Sequence, residues 1–490
     1  MSRLALIAAA LLLAACTMAP TYKRPDSSIQ AFWPDDGQGK KEEPSTIAVP
    51  AADIGWRDFF SDPRLQKLVE LALKNNRDLR VAALNIEQAR AQYQIRAAAL
   101  YPGVNATTTG AVQRQPLAVY LPSAGSGGLT IHNYNIGVGV TSYEVDLFGR
   151  IRSLKEQALQ QFFGMEESRT TAQISLVAQV ANAYLTWLAD RELLKVAEET
   201  LVSQGQTYSI QERAFQGGVL SAQDFQQAAT AVSQAKLIIA QNKLAVAQDM
   251  NLLVLLVGEP FSDEVQAYLA ANHGLENDSL LEALPAGLPS DLLRRRPDIR
   301  SAEDNLIAAN ANIGAARAAF FPTLTLTGAF GTASSGLSGL FAGGSQAWNF
   351  TPQVSVPLFD GGVNLANLKA AKVNRDLYVA QYQKSIQTAF REVADALAAR
   401  KSLDDQLKAQ EEYLKATDDS YKLYDLRFRN GIDSDLNVLI WQRSLYTARQ
   451  NLVSTRLARL QNLVNLYKAL GGGWLEHTVP TGKTPSVKQG

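Results

Sequence analysis

From Val363 to Asn430 the sequence runs for 68 residues without a glycine or a proline. Those two residues are the strongest local breakers of regular backbone, so their absence marks one uninterrupted helix. At 1.5 Å per residue such a helix is about 100 Å long, more than the interior of an ordinary globular domain can hold. Ile386, Phe390, Val393 and Leu397 recur along it at 4-3-4 spacing, the narrow seam of a coiled coil. An earlier stretch, 123–259, has no proline, and there Ile174, Val177, Ala181, Tyr184 and Leu188 keep 3-4-3-4 spacing. Gly217-Gly218 and Asn430-Gly431 break the two runs. A second helix is expected to return from each break, about Ala222 to Val257 and Leu436 to Leu470, ending at Gly258 and Gly471-Gly472-Gly473 as glycine C-caps. The chain should therefore hold two long helical hairpins.

The two hairpins belong to a duplication. At an offset of 220, positions 78–107 give ten identities, from Asp78 with Asp298 to Thr107 with Thr327, against roughly two to four expected between two Ala-rich segments. Val145-Asp146-Leu147-Phe148 then matches Val356-Pro357-Leu358-Phe359, and Phe215-x-x-Gly218-x-x-Ser221 matches Phe428-x-x-Gly431-x-x-Ser434. Three blocks in the same order mean one unit used twice. Each unit opens with an Ala-rich helix, about Asp78 to Leu100 and Asp298 to Phe320, stopped by Tyr101-Pro102 or Phe321-Pro322.

Two strand-like segments of about ten residues follow each opening helix. Thr323, Thr325 and Thr327 oppose Leu324, Leu326 and Phe330; Trp348, Phe350, Val354, Val356 and Leu358 oppose Asn349, Thr351, Gln353 and Ser355. Tyr134, Ile136, Val138 and Val140 oppose Asn133, Asn135, Gly137 and Thr141. This alternation fits a half-buried soluble sheet or a membrane barrel with an apolar outside and a wet inside. Gly/Ser-rich runs, Ser123 to Gly128 and Ser334 to Ser345, lie between the two members of each strand pair as exposed loops.

The N-terminus favours the membrane. Arg3, the apolar run Leu4 to Leu12 and then Leu13-Ala14-Ala15-Cys16 form a signal peptide too short to span a bilayer. The tetrapeptide resembles the lipobox of bacterial lipoproteins, which implies cleavage before Cys16 and acylation of its thiol and amine. Thr17 is not the aspartate that commonly retains such proteins in the inner membrane, so the resemblance implies the Gram-negative outer membrane. Cys16 is the only cysteine, and three His complete the soft-ligand inventory. No disulfide and no structural zinc or iron–sulfur centre is expected, and no cofactor beyond covalent lipid on Cys16. With 47 Lys+Arg against 47 Asp+Glu, the chain is not built to neutralise nucleic acid.

Four strands leave open edges that hydrocarbon cannot satisfy, so the sheet must close with further copies: two chains give a filled eight-stranded barrel, three a twelve-stranded one with an open lumen. Trp56-x-x-Phe59-Phe60-x-Asp62-Pro63-x-Leu65, Leu288-Pro289-Ser290-x-Leu292-Leu293-x-Arg295-Arg296-Pro297-Asp298-Ile299, Phe320-Phe321-Pro322 and Thr21-Tyr22-Lys23-Arg24-Pro25 resemble the TolC-like outer-membrane factors of tripartite (RND-type) efflux pumps, in particular the OprM-type lipoprotein branch. The resemblance implies a mixed α/β membrane protein, a homotrimer whose twelve-stranded outer-membrane β-barrel is continuous with a twelve-helix periplasmic α-barrel. It implies passive export of drugs or small toxic compounds handed over by an inner-membrane transporter through a periplasmic adaptor. The organisation then reads as signal peptide 1–15, lipidated tail 16–60, repeat 1 over 61–260 (strand pair about 102–147, hairpin about 150–257), equatorial linker 261–290, repeat 2 over 291–473 (strand pair about 322–358, hairpin about 363–470) and C-terminal tail 474–490.

In that family the hairpin tips form the periplasmic end, where the adaptor docks. The matching positions are Gly218, Val219, Leu220, Ser221, Gly431 and Ser434; a turn followed by a serine N-cap accounts for the same residues structurally. Relatives narrow the pore with a leucine and, one helical turn later, an aspartate. These positions fall on Leu436 and on Ile440, so the sequence departs from the pattern at the second, and whether an acidic ring exists at the constriction stays open. Asp433, Asp435 and Asn437 are the nearby polar candidates for the constriction, or the two aspartates are solvated charge at a helix N-terminus. Arg294, Arg295 and Arg296 are read as ion-paired around the equator, and His132, His273 and His477 as surface residues. Met18, Met165 and Met250 are scattered and mark no path for soft metals. No Gly-x-x-x-x-Gly-Lys-Ser/Thr loop and no Gly-x-Ser-x-Gly elbow occurs, so an enzyme is not expected. A type I secretion duct and an adhesive trimeric coiled coil are the rival functions.

Overall fold

The computed structural model describes residues 17–26, 30, 33, 49–116, 128–270, 274–275, 280, 284–285, 289–433 and 435–479. The signal peptide, Cys16, loop residues 123–127, His273, Ser434, the side chain of Asp435 and residues 480–490 lie outside this description. In chain order the elements are α1 (Trp56–Phe59), α2 (Pro63–Asn75), α3 (Arg77–Ala98), β1 (Val104–Pro116), β2 (Gly128–Val145), α4 (Arg150–Gln216), α5 (Ala222–Val257), α6 (Asp263–Ala270), α7 (Leu292–Arg295), α8 (Pro297–Ala318), β3 (Thr323–Ser334), β4 (Gln346–Ser355), α9 (Val363–Arg429) and α10 (Asp435–Ala469). The long helices α4 and α9 each have 67 residues. β1 and β2, with 13 and 18 residues, are longer than the ten or so that the alternation delimits.

The compact units of the chain are not the two repeats. One unit takes 85–166 from the first repeat and 301–382 from the second, with residues up to 26; the other takes 27–84, 167–300 and 383–490. A repeat whose helices are this long has no core of its own, so each unit is built from the equivalent ends of both copies.

The first unit contains the antiparallel sheet β1-β2-β3-β4. Directly paired residues share a face, and the register places Val138 opposite Ala106 and Phe330, and Phe330 opposite Trp348. One face therefore carries Ile136, Val138, Val140, Leu324, Leu326, Phe330, Trp348, Phe350 and Val354. The other carries Asn105, Thr107, Thr109, Asn133, Asn135, Thr323, Thr325, Thr327, Asn349, Thr351 and Gln353. Trp348 is 77% exposed and Phe330 64% on the apolar face, an arrangement stable only against lipid or another apolar surface. In β2 the apolar residues switch from even to odd numbers after Val140. A β-bulge between Val140 and Tyr143, with Ser142 at φ 57°, absorbs the switch, so Tyr143 and Val145 stay on the face of Leu326 and Leu324. Thr141, which strict alternation assigns to the polar face, falls in that bulge. Gly331 faces Gly137 where the strands come close: a Cβ at Gly331 would lie 2.1 Å from the Ile136 carbonyl oxygen.

The same unit fixes residues 17–26, which are more than a loose tail. Glu303 of α8 accepts two hydrogen bonds from Arg24 at 2.7 Å and one from the Tyr22 hydroxyl at 3.0 Å. Asn310 donates to the Pro20 carbonyl at 2.6 Å and Arg317 to that of Met18 at 3.1 Å. A Cβ on Gly314 would lie 2.7 Å from the Ala19 nitrogen. Glu303, Asn310, Gly314 and Arg317 form one stripe of α8. The helix rises about 21 Å over it, and the residues from Arg24 to Met18, extended, span about 20 Å. The segment is thus a taut strap antiparallel to α8.

The second unit has a compact core of its own. Trp56, Phe59, Phe60, Leu65, Leu68 and Val69 are buried with Tyr184, Leu253, Ile299, Val464 and Tyr467. Phe59 stacks on Tyr467 at 4.0 Å, and the Tyr467 hydroxyl donates to the Ile54 carbonyl at 2.6 Å. Residues 51–60, assigned above to a tail, are therefore structural, because the aromatic motif supplies core side chains. The C-terminal segment joins them: the Trp56 and Val479 amides donate to the carbonyls of Leu475 and Asp53. The seam residues Ile174, Val177, Ala181, Tyr184 and Leu188 are all buried. α6 lies in the segment read from sequence as a linker. Arg295 pairs with Asp53, and Arg296 with Asp298 and Glu392. Burial opposes the Arg296 charge, but the two carboxylates outweigh it and raise its pKa.

Candidate functional site

The two hairpin tips have the same backbone design. Gly218 has φ 74° and Gly431 φ 69°, left-handed geometry that glycine adopts without strain. At the first tip the Gly218 and Val219 amides donate to the carbonyls of Phe215 and Ala214; at the second, Gly431 and Ile432 donate to Phe428 and Arg427. Both close a helix end by a 6→1 bond around a left-handed residue. Ser221 then caps α5, its hydroxyl accepting from the Asp224 amide at 3.2 Å and donating to the Asp224 carboxylate at 2.6 Å. Phe215 stacks on Phe225 at 4.9 Å beneath the turn. Val219 projects 83% exposed and Leu220 is half-buried. Gly218, Val219, Leu220 and Ser221 form one contiguous knob, and Gly431 occupies the matching place in the second.

At the second tip Asp433 is drawn back onto its own protomer. Arg427 donates to it at 2.9 Å and Asn437 at 3.1 Å, so its charge is compensated and Asn437 is engaged. Leu436 and Ile440 are about half exposed, at 50% and 47%. They continue with Arg443, Thr447 and Asn451 as one exposed stripe along α10. The opposite face, Val438, Leu439, Gln442 and Leu445, is buried.

Two features went unread in the sequence. Gln442 donates to Ser203 at 2.9 Å, and Ser203 shares a hydrogen bond of 3.0 Å with Tyr421, which ties α10, α4 and α9 together through the buried Gln442 and two half-buried hydroxyls. Its signal was a glutamine in an otherwise apolar heptad stripe. The α8 strap also went unread, although the 7-4-3 spacing of Glu303, Asn310, Gly314 and Arg317 was visible. Asp249 on α5 sits beside Asp190 on α4; burial first and the neighbouring carboxylate second push its pKa up to about 6. Among the described residues no cluster of three or more His, Cys, Asp or Glu is placed to hold a metal ion. None of their helices is long and apolar enough to cross a membrane.

Residues 68–259 and 288–472, the two copies of the repeat, match the family described as Outer membrane efflux protein. The chain belongs to that family. It is 48% identical over 488 residues to the toluene efflux pump outer membrane protein TtgC of Pseudomonas putida, covering 99% of both chains. It is 42% identical over 467 residues to the outer membrane protein OprJ of Pseudomonas aeruginosa, covering 95% of both. Among solved structures, the open state of the MtrE outer membrane channel of Neisseria gonorrhoeae superposes with a TM-score of 0.83 at 39% identity, covering 95% of this chain and all of that one. The fold is thus that of the trimeric TolC-like outer-membrane channels, the location is the outer membrane, and the activity is passive efflux and not catalysis. In an efflux channel the sheet with its apolar face is the part suited to lipid, and the helical hairpins are left to form the duct.

Proposed function

We propose that three copies form the exit duct of a tripartite pump that clears small toxic compounds, with antibiotics and aromatic solvents such as toluene as the substrate class. An inner-membrane transporter supplies the energy, and a periplasmic adaptor grips the knobs at Gly218, Val219, Leu220, Ser221, Gly431 and Ser434. The observation that carries this reading is the pair of tips with the same glycine turn, each presenting an exposed aliphatic residue, Val219 or Ile432, beyond it. Val219 is 83% exposed and Ile432 64%, so most of each side chain is left for a partner. Cys16 carries the lipid, and the strap on α8 restrains the chain from Met18 onward. The resting duct narrows at Leu436.

The test is complementation of a strain lacking the channel. Wild type restores toluene and antibiotic tolerance; Val219→Glu lowers tolerance and abolishes adaptor co-purification while trimers persist. Retained tolerance with Val219→Glu combined with Ile432→Glu would refute the docking assignment. Leu436→Gly should raise single-channel conductance and sensitise cells to large antibiotics, and unchanged conductance would refute the constriction.

A further inference from the structure

The internal repeat leaves one aromatic pair without the partner that its copy has. Within one protomer Phe148 stacks on Phe321, with centroids 4.7 Å apart and planes at 24°. Phe148 lies three residues after Val145, and Phe321 three residues before Leu324, and Val145 and Leu324 are directly paired across β2 and β3. The stack therefore clasps the foot of that strand pair. The repeat equivalents are Phe359, three residues after Val356, and Tyr101, three residues before Val104. Leu358 and Phe359 are the two most exposed large apolar side chains among the described residues, at 94% and 92%, and Tyr101 is 74% exposed. Their counterparts Leu147 and Phe148 are half-buried. Among the described residues β1 is paired only with β2, and β4 only with β3, so each has one open edge. Hydrocarbon offers the backbone groups of an open edge no hydrogen-bond partner.

We propose that Phe359 of one protomer stacks on Tyr101 of a neighbouring copy, and that this clasp sets the register in which β4 pairs with the neighbour's β1: Val356 opposite Val104 and Val354 opposite Ala106. The inference rests on the trimeric channel reading and adds the contact that closes it. Parity supports the register. Val104 shares a face with Val140, Val140 with Gly328, and Gly328 with Phe350, so Val354 and Val356 meet Ala106 and Val104 on the apolar side. A slip of one residue would turn Asn105 toward that side. A slip of two, with Val354 opposite Thr108, keeps the faces but carries Phe359 about 7 Å past Tyr101. Only the clasp distinguishes these two registers.

Paired cysteines in the full lipoprotein, oxidised in outer membranes, test the register. Ala106→Cys with Val354→Cys and Asn105→Cys with Ser355→Cys are neighbouring ladder positions, one of which falls at the closer, non-hydrogen-bonded pair. At least one should yield covalently linked trimers on non-reducing gels, at tenfold or more over the slipped pairs Thr108→Cys with Val354→Cys and Thr107→Cys with Ser355→Cys. Linkage through a slipped pair, or none while unlinked trimers persist, overturns the seam; absence of any trimer overturns the channel reading instead. Phe359→Ala and Tyr101→Ala should each speed heat dissociation of the trimer, with a shared stacking part of roughly 2- to 12-fold. The double variant should fall short of the product of the two by that factor. Fully multiplicative losses would remove the clasp.

Discussion

Replacing Glu303 by glutamine should free the N-terminal strap and leave the rest of the fold in place. Glu303 accepts both Arg24 hydrogen bonds at 2.7 Å and that of Tyr22 at 3.0 Å, and its side chain is only 10% exposed. A hydrogen bond to a charged group is worth about 1.5–3 kcal/mol. Arg24 is 51% exposed, so solvent screens much of the pair, and a total of about 2 kcal/mol is reasonable. At tenfold per 1.4 kcal/mol, that multiplies the open population of the strap about 30-fold. Lys23 is exposed on the strap, and trypsin must open the strap to accommodate the flanking backbone. When opening is fast relative to cleavage, the rate follows the open population, so cleavage after Lys23 should rise about 30-fold in Glu303→Gln. The measurement is the first-order loss of the intact N-terminus in outer-membrane vesicles. A change below threefold would refute the energetics, and equal sensitisation of sites in the hairpins would show general destabilisation.

Three other substitutions probe separate parts of the fold. Gly331→Val places a side chain against the Ile136 carbonyl, where backbone cannot yield, and should abolish heat-resistant trimers on gels. Tyr184→Phe removes a buried hydrogen bond of 2.7 Å to Asp62 and should cost about 1–3 kcal/mol, read as a lower midpoint of thermal unfolding. Asp249 titrates near pH 6 in the native state and near 3.8 unfolded. Between those values the native state holds a proton that the unfolded chain has released, so stability falls as pH rises from about 4 to 6 and then levels. Thermal melts across that range should flatten in Asp249→Asn.

The long helices were legible because their signal is negative and local: no breaker between Val363 and Asn430, then Gly431 at the turn. Strand faces were legible for the same reason, since period two is carried by neighbours such as Asn349 and Phe350. What escaped depends on residues far apart in the chain. Strict alternation could not foresee the bulge after Val140, because Ser142 is not a residue type that advertises a positive φ. The segment 51–60 looked like a tail until Phe59 met Tyr467, more than four hundred positions away. Among site residues, the tip glycines were legible as turns. The sequence left open whether Asp433 would be free or engaged, and Arg427, six residues earlier on the preceding helix, settles it.

That pairing decides how a constriction at Leu436, as proposed above, would close. With Asp433 held by Arg427 and Asn437, the exposed stripe described along α10 runs through Leu436, then Ile440, then Arg443. Three copies brought together there would present two aliphatic rings, and a narrow apolar bore closes by expelling water and needs no charge. Ile440→Asp separates this closure from an electrostatic one. Three carboxylates one helical turn above Leu436 would repel each other, rehydrate the bore and attract cations. Planar bilayer recordings under a KCl gradient should then show the reversal potential moving toward that of potassium and a block by added divalent cations that wild type lacks. If reversal potential and divalent sensitivity are those of wild type, the stripe does not line the narrow part of the duct, and Leu436 loses its role with Ile440.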